Sequence, residues 1–194
     1  MNRAVFLDRD GTVTKEVGYL TDLERLSLIP GAGKAIRVLN QAGFKVVLIT
    51  NQSGVARGYF PESLVHEAHE RLREMLREDG AWLDGIYYCP HHPTAGNSAY
   101  TMVCDCRKPG TGLITRAMKD LELDARHSYM VGDKWIDVEV ARRARIFAVM
   151  VGSGYAPDDP GNVRSAQVSD PDFTAGDIGE AVDWIIRHSR EDRG

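Results

Sequence analysis

The chain has few cysteines: only three occur among its 194 residues, and all lie in one short stretch, at Cys89, Cys104 and Cys106. Its first residues show no basic and then apolar segment of the type that directs export. An odd number of cysteines without an export signal argues against a disulfide framework and favours a metal site. We therefore expect a cytoplasmic protein whose cysteines bind a metal ion.

Long apolar runs and an excess of positive charge are missing as well. No stretch has the length and apolar character of a membrane-spanning helix. Lysines and arginines total 24 against 28 acidic residues, for a net charge of -4, so neither nucleic acid nor a membrane is an expected partner. The sequence shows no repeat and no linker, and 43% of it is hydrophobic. These features predict one globular domain over residues 1–194.

Short apolar strands alternate with amphipathic helices along the chain. Strands are predicted at residues 3–7, 44–49, 85–89, 128–131 and 146–151, with an edge strand starting near Phe173. Helices are predicted at 31–42, 61–79, 111–121, 135–144 and 178–188, and loops at 90–108 and 152–171. This alternation is typical of an α/β fold with a doubly wound, mostly parallel, Rossmann-like sheet. Ligands bind such sheets at the carboxyl ends of the strands.

Two carboxylates follow the first predicted strand. Asp8 and Asp10 are one residue apart and precede Gly11-Thr12, so in an extended chain their side chains point to the same side. Such a pair can share a hard cation and still leave one oxygen free to attack phosphorus. An ordinary acidic turn is the alternative interpretation, since Asp and Gly are common turn residues.

Three further segments supply polar side chains of complementary chemistry. Residues 50–54 follow the second strand and read Thr-Asn-Gln-Ser-Gly, whose hydroxyl and backbone N–H groups can hold phosphate oxygens. Lys108 can neutralise a phosphoryl group, and Asp133, after the fourth strand, can be a further oxygen ligand of magnesium. Taken singly, these are typical of a polar turn, a surface lysine and a helix N-cap. Their combination in this chain order favours a phosphoryl-transfer site.

Two Cys/His pairs flank the loop over residues 89–106, and they predict a closed tetrahedral zinc site of structural type. The predicted ligands are Cys89, His91, Cys104 and Cys106. A closed site leaves no position for water, which excludes a catalytic zinc hydrolase. His92 is an alternative ligand to His91, and three free thiols beside a chance histidine are the alternative to a metal site. The loop has few large apolar residues, so we expect zinc to order it and to fix the segment with Arg107 and Lys108.

The strand-end residues, in this order, resemble the haloacid dehalogenase-like phosphatase superfamily. The resemblance implies that Asp8 is the nucleophile. It implies that Asp10 is the general acid for the leaving alkoxide and then the base that activates water. It also implies that Thr50 and Asn51 hold the phosphoryl group and that Lys108 stabilises its charge.

The same resemblance implies a magnesium ion held by the Asp8 carboxylate, the Asp10 backbone carbonyl and Asp133. Such a cation meets a physical need, because a dianionic phosphate is poorly attacked by another anion unless positive charge offsets the repulsion. Members of the superfamily often carry an inserted cap domain, but no insertion here is long enough for a large cap. The zinc loop and residues 14–28 would then line an open site, which suits a monomer.

Longer motifs between about residues 3 and 155 resemble the D-glycero-D-manno-heptose-1,7-bisphosphate 7-phosphatase family. They are DRDGT at 8–12, GY at 18–19, TNQSGVARG at 50–58, DGIYYCPHHP at 84–93, CDCRKP at 104–109 and YMVGDK at 129–134. The resemblance implies removal of the 7-phosphate of a heptose bisphosphate, on the route to nucleotide-activated heptose and lipopolysaccharide core. It implies substrate contacts from Glu16, Gly18, Tyr19, Asn51, Gln52, Ser53, Arg57, Arg107 and Lys134. Thr14, where the family often has Asn, and the segment after Tyr155 depart from the pattern.

Two other functions fit parts of the sequence. Bacterial histidinol phosphatase resembles this family and shares the zinc loop, although the residues at 55–58 and the pair Tyr87-Tyr88 favour the heptose enzyme. A zinc-ribbon-like module that binds nucleic-acid ends is disfavoured by the net acidity and by the lack of a basic and aromatic stripe. The remaining histidines have no clear partners in the sequence and are expected at the surface or on a helix face: His66, His69, His127 and His188.

Overall fold

A computed structural model describes residues 2–96, 99–152 and 162–191, and its centre is a sheet of six parallel strands. The strands are β1 (Ala4–Leu7), β2 (Lys45–Asn51), β3 (Gly85–Cys89), β4 (Tyr129–Gly132), β5 (Phe147–Val151) and β6 (Phe173–Ala175). Their order across the sheet is β3-β2-β1-β4-β5-β6, and neighbouring strands are parallel throughout. The predicted doubly wound, parallel α/β fold is confirmed.

Helices cover both faces of the sheet. They are α1 (Ala32–Gln41), α2 (Glu62–Glu78), α3 (Gly112–Asp120), α4 (Trp135–Ala144) and α5 (Ile178–Glu191). Apolar side chains of α1, α2 and α5 pack on one face of the sheet, and those of α3 and α4 pack on the other. Because both faces are buried, the strands read as continuous apolar runs rather than as alternating ones.

Strand β1 shows how the sheet divides the core. Val5 and Leu7 belong to the apolar cluster with α1, α2 and α5, whereas Ala4 and Phe6 belong to the cluster with α3 and α4. This division follows from the alternation of side chains along an extended chain. All four residues are completely buried, and burial of a side chain such as Leu7 or Phe6 contributes about 1.5–3 kcal/mol to stability.

The position of β1 creates a crevice at the carboxyl edge of the sheet. From β1 the chain adds β2 and β3 on one side, and it then returns to add β4, β5 and β6 on the other side. The point where the strand order reverses is where open α/β sheets bind ligands. Asp8 directly follows β1 and Asp133 directly follows β4, so both carboxylates start from this point.

The element ends differ slightly from the sequence-based predictions. Strand β2 continues to Asn51, because its last residue still pairs with Cys89 of β3, and α5 continues to Glu191. The predicted loop over 152–171 lies partly outside the described residues, at 153–161. None of the helices in the described part of the chain has both the length and the apolar character needed to cross a membrane.

His69 lies on a helix, which the expectation of a surface or helix-face histidine includes, but it is buried rather than exposed. Its side chain is 5% exposed on α2, and its Nε2 atom has no hydrogen-bond partner among the described residues. Burial, together with the positive charge of Arg9, lowers the pKa of His69 to about 3. The folded protein therefore keeps this ring neutral at pH values where an unfolded chain would protonate it.

This lowered pKa predicts a loss of stability in mild acid. The unfolded state protonates His69 near pH 6.5 whereas the folded state does so near pH 3, so the unfolded state binds the extra proton and stability falls as the pH falls. Between pH 7 and pH 5 the wild type should lose about 2 kcal/mol more free energy of unfolding than His69→Gln, as measured by urea unfolding. His127→Gln, at an exposed site, should keep the wild-type slope, and a wild-type slope in His69→Gln would contradict the assignment.

Candidate active site

The polar side chains at the carboxyl ends of β1, β2 and β4 line a cavity of about 520 Å³, called here the strand-end cavity. Its lining includes Asp8, Asp10, Glu16, Gly18, Tyr19, Thr50, Asn51, Gln52, Ser53, Arg107, Lys108 and Lys134. A larger hollow of about 850 Å³ lies beside β3 and α3. Asp8, Asp10 and Lys108 line the smaller cavity and not the larger hollow, so the chemistry described below belongs to the smaller cavity.

Lys108 connects two carboxylates at the floor of this cavity. Its Nζ lies 2.8 Å from Oδ1 of Asp8 and 2.6 Å from Oδ1 of Asp137, and it is 3% exposed. Burial disfavours the charged ammonium, but the two carboxylates outweigh burial and raise the pKa of Lys108 above its ordinary value. The ammonium therefore stays charged beside the carboxylate of Asp8.

Asp133 is a buried carboxylate without a partner. Neither of its oxygens has a hydrogen bond among the described residues, and its side chain lies within 4.8 Å of those of Asp8 and Asp137, measured between possible ligand oxygens. Burial, and then the charges of Asp8 and Asp137, raise the pKa of Asp133 to about 8. A buried group of carboxylate oxygens of this kind fits a hard divalent cation such as magnesium.

Asp137 differs from Asp8 and Asp133 because both of its oxygens are already used. Oδ1 accepts from Lys108, and Oδ2 accepts from the backbone N–H of Lys134 at 3.2 Å. The second bond belongs to a capping box at the start of α4, which fixes the helix relative to the strand end. Asp8 and Asp133 are thus the carboxylates of this group that have oxygens to offer a cation.

Gly11 makes room for Asp133. Its φ of +88° lies in the left-handed region, and a Cβ atom at this position would stand 2.2 Å from Oδ2 of Asp133. A residue without a side chain is therefore needed on both conformational and steric grounds. Gly11, which follows Asp8 and Asp10, therefore lets the backbone turn in close contact with the side chain of Asp133.

Asp10 is held by three neighbours. Arg9 donates to both of its oxygens, at 3.0 and 2.8 Å, Gln52 donates to Oδ2 at 3.0 Å, and Thr14 donates to Oδ1 at 3.3 Å. Burial opposes ionisation of Asp10, but the charge and hydrogen bonds of Arg9 and Gln52 outweigh it and hold the pKa of Asp10 below its ordinary value. In the ligand-free protein Asp10 is therefore a carboxylate in a fixed orientation.

The residues at the carboxyl end of β2 hold other parts of the site in place. Oδ1 of Asn51 accepts from the backbone N–H of Lys108 at 2.9 Å, and its Nδ2 donates to the Lys108 carbonyl at 3.1 Å. Nε2 of Gln52 donates to the Thr50 hydroxyl at 2.9 Å as well as to Asp10. The side chains of Asn51 and Gln52 thus bind protein groups, and both residues line the cavity together with Ser53.

Charged and aromatic residues form the rim of the strand-end cavity. Glu16 accepts from the backbone N–H of Gly18 at 2.8 Å and pairs with Lys134 at 3.0 Å across the opening. Tyr19 is 42% exposed at the rim. Arg107 donates to the carbonyl of His91 at 3.3 Å. This bond connects the rim to the loop over residues 89–106, called here the cysteine loop.

Arg57 lies outside the lining of the strand-end cavity, in the described part of the chain. Its guanidinium carbon lies 6.0 Å from the centre of the Tyr19 ring, and its Nη2 lies 3.1 Å from Nε2 of His92. It therefore stands between the rim and the cysteine loop.

Four side chains of the cysteine loop converge on one point: Cys89, His91, Cys104 and Cys106. The sulfur–sulfur distances are 3.2, 3.3 and 3.6 Å, and Nδ1 of His91 lies 3.3 Å from the sulfur of Cys106. Tetrahedral zinc with Zn–S bonds of about 2.3 Å sets its sulfur ligands about 3.8 Å apart, so the cluster fits this ion. His92 lies outside the cluster, because its Nδ1 accepts backbone N–H groups of the same loop.

Sequence reasoning gave no role to two residues of the site. Arg9 is 2% exposed and binds Asp10, and Asp137 is 1% exposed and binds Lys108. A signal for Asp137 was available, because it follows Asp133 by about one helical turn at the start of a predicted helix. Arg9 lies between the two aspartates, and alternation along a strand predicts that its side chain points to the side opposite to theirs. Its contact with Asp10 was therefore not expected.

Comparisons with known proteins show which family the chain resembles. A family model described as "HAD-hyrolase-like" matches residues 105–181. A D-glycero-D-manno-heptose-1,7-bisphosphate 7-phosphatase of Thermosynechococcus vestitus is 44% identical over 189 residues, which are 95% of this chain and 96% of the relative. A D-glycero-beta-D-manno-heptose-1,7-bisphosphate 7-phosphatase of Haemophilus ducreyi is 47% identical over 79% of this chain and 85% of its own length.

A solved structure shows the same fold. The D,D-heptose 1,7-bisphosphate phosphatase of B. bronchiseptica, complexed with magnesium and phosphate, superposes with a TM-score of 0.81 and 27% identity over 96% of this chain and 99% of its own. With relatives above 40% identity over most of its length, the chain belongs to the D-glycero-D-manno-heptose-1,7-bisphosphate 7-phosphatase family of haloacid dehalogenase-like phosphatases.

Proposed function

We propose that this protein removes the 7-phosphate of D-glycero-D-manno-heptose 1,7-bisphosphate through an aspartyl-phosphate on Asp8. The observation that carries the proposal is the Asp8 carboxylate, held 2.8 Å from the buried Lys108 ammonium at the switch point of the sheet. An oxygen of Asp8 forms a bond to phosphorus while the bond from phosphorus to the sugar oxygen breaks. The product would feed the synthesis of nucleotide-activated heptose.

Asp10 moves the protons of both steps in this proposal. It gives a proton to the departing sugar oxygen and later takes one from the water that attacks the aspartyl-phosphate, which releases inorganic phosphate. Asp10 is a carboxylate in the free protein, since Arg9 and Gln52 keep its pKa low. A phosphoryl dianion brought beside it raises that pKa, which favours the protonated form needed for the first step.

Asp8, Asp133 and the backbone carbonyl of Asp10 are the groups that would hold magnesium. The support is the buried carboxylate of Asp133, which has no hydrogen-bond partner among the described residues. When bound, the ion supplies positive charge that offsets the repulsion between the Asp8 carboxylate and the phosphate. Lys108 supplies the second positive charge from the protein itself.

The neighbours of Lys108 act as positioning residues. Asp137 holds its ammonium and Asn51 holds its backbone on both sides. With Lys108 fixed from three directions, its charge requires little reorganisation during the reaction, which is the condition for efficient electrostatic stabilisation. Thr50 and Ser53 are then free to contact the phosphoryl group. The sugar and its second phosphate contact the remaining predicted residues, which are Glu16, Gly18, Tyr19, Arg107 and Lys134.

We further propose that zinc bound by the cysteine loop is structural, and that the protein acts as a monomer in the cytoplasm. Three thiolates and one imidazole complete a tetrahedron and leave no position for substrate. Burial raises the pKa of the Cys89 thiol, so metal binding must provide the free energy that deprotonates it.

The test is magnesium-dependent phosphate release from both anomers of heptose 1,7-bisphosphate and from histidinol phosphate. We expect kcat/KM for one heptose anomer to exceed that for histidinol phosphate by about a hundredfold, which corresponds to about 2.7 kcal/mol of transition-state discrimination. Asp183→Asn, on the exposed face of α5, should behave as the wild type. Preference for histidinol phosphate would overturn the proposed substrate.

A further inference from the structure

Two side chains meet at the edge of the cysteine loop in a contact that is not an ordinary hydrogen bond. Nη2 of Arg57 lies 3.1 Å from Nε2 of His92. Arginine nitrogens only donate, whereas a histidine ring nitrogen either donates or accepts according to its tautomer. The meaning of the contact therefore depends on which nitrogen of His92 carries the hydrogen.

The other ring nitrogen fixes the tautomer of His92. Nδ1 accepts the backbone N–H of Ala95 at 2.8 Å and that of Thr94 at 3.2 Å. A nitrogen that accepts hydrogen bonds carries no hydrogen, so the neutral ring carries it on Nε2. Arg57 and His92 thus direct two N–H donors at each other, and an acceptor that both can reach would satisfy them.

Arg57 has a further donor to offer. Its Nε atom is buried and has no hydrogen-bond partner in the described part of the chain. A buried unpaired N–H of a charged group is costly, and an anion would provide the missing acceptor for both Arg57 nitrogens. A guanidinium with two adjacent N–H groups is well matched to phosphate oxygens.

The backbone holds this donor pair rigidly next to the strand-end cavity. The N–H of Arg57 donates to the carbonyl of Ser53 at 3.0 Å, and Ser53 lines the cavity. The cysteine loop packs closely on the same segment, since a Cβ atom on Gly96 would stand 1.8 Å from the carbonyl oxygen of Ala56. Arg107, which lines the cavity, reaches the same loop through the carbonyl of His91.

We propose that His92 and Arg57 form a second anion site that binds the phosphate at the far end of the sugar bisphosphate. The inference rests on the proposed function and assigns His92 a role in specificity in addition to its place beside the zinc ligands. The Nε2–H of His92 and the Nη2–H and Nε–H of Arg57 donate to the phosphate oxygens. A substrate with one phosphate would leave these donors unpaired, so the site selects bisphosphates.

The test compares heptose 1,7-bisphosphate with heptose 7-phosphate, which lacks the second phosphate, in the zinc-loaded full-length protein. His92→Asn keeps an acceptor for the backbone N–H groups of the loop and removes the Nε2 donor. We expect its kcat/KM for the bisphosphate to fall about tenfold or more, mainly through KM, while kcat/KM for the monophosphate changes by less than about twofold. His127→Asn is the matched control, and zinc content should be one ion per chain in all three proteins.

Equal losses on both substrates would overturn the proposal, because they indicate a role in loop structure, and so would unchanged kinetics on both. A wild type that is inactive on heptose bisphosphate would instead overturn the proposed function. In that case nitrogen-15 NMR of the His92 ring decides the proposal without turnover. We expect the Nε2–H tautomer of His92, and we expect its Nε2 resonance to shift on addition of mannose 1-phosphate while the resonances of His127 do not. The Nδ1–H tautomer, or a His92 resonance that does not shift, would overturn the anion site.

Discussion

Asp8→Asn is expected to lower kcat by about 10⁴-fold or more on any phosphate ester that the wild type hydrolyses. The amide is a poor nucleophile, and the proposed reaction has no second carboxylate in the position of Asp8. The loss should appear in single-turnover experiments with saturating magnesium, where neither binding nor product release limits the rate. KM should change far less than kcat, because the remaining phosphate contacts stay in place.

The same substitution should leave the fold intact, which separates chemistry from stability. Asp8 adds to the negative charge around Asp133 and Asp137, and Lys108 keeps its bond to Asp137 when Asp8 is neutral. The melting temperature of Asp8→Asn should therefore not fall below that of the wild type. A variant that retains turnover would contradict the nucleophile assignment, and a variant that is unfolded would contradict the electrostatic account of the site.

Loss of zinc is expected to have the second largest effect. Cys106→Ser removes one of the four predicted zinc ligands. Because Cys106 directly precedes Arg107 and Lys108, the backbone that positions these two cations is then no longer held by zinc. Structural zinc sites contribute about 10 kcal/mol or more to folding of the segment that binds them. We expect zinc content near zero and a fall of about 10²-fold or more in kcat/KM with magnesium in excess.

The matched control for this experiment is Met102→Ser, in the same loop. Met102 is 44% exposed and lies outside the Cys/His cluster, so its replacement should leave zinc content and kinetics unchanged. Magnesium should not restore Cys106→Ser, since the two metal sites use different side chains. A zinc-free variant with wild-type kcat and KM would contradict the idea that zinc positions Arg107 and Lys108.

Much of the fold could be predicted from the sequence because local and tertiary preferences agree. Strand β1 is a short apolar run, because its side chains pack against helices on both faces of the sheet. Helix α4 begins and ends at the residues that its sequence pattern predicts. The meeting of Asp8 with Asp133 followed from the rule that parallel strands end at one edge. Both predictions rest on the spacing and the apolar character of residues, which a sequence displays directly.

The roles of Arg9, Asn51 and His69 could not be predicted in this way. Asn51 and His69 depend on a contact with a residue distant in the chain or on burial against another element, whereas Arg9 contacts the next residue in the chain. Asn51 binds the backbone of Lys108, 57 residues later, and His69 is buried on a helix whose pattern permits either environment. Arg9 turns back toward its neighbour Asp10, and alternation along a strand gives no sign of such a turn.

The most direct test of the central claim is to trap the phosphoryl group on the enzyme. Wild-type protein with magnesium would be mixed with heptose 1,7-bisphosphate, quenched in acid within milliseconds, digested, and examined by mass spectrometry. We expect one phosphoryl group, on the peptide that contains Asp8 and on Asp8 itself, at a level that rises and falls with turnover. Turnover with no phosphorylated peptide at any quench time, or with the phosphoryl group on a different residue, would contradict the central claim.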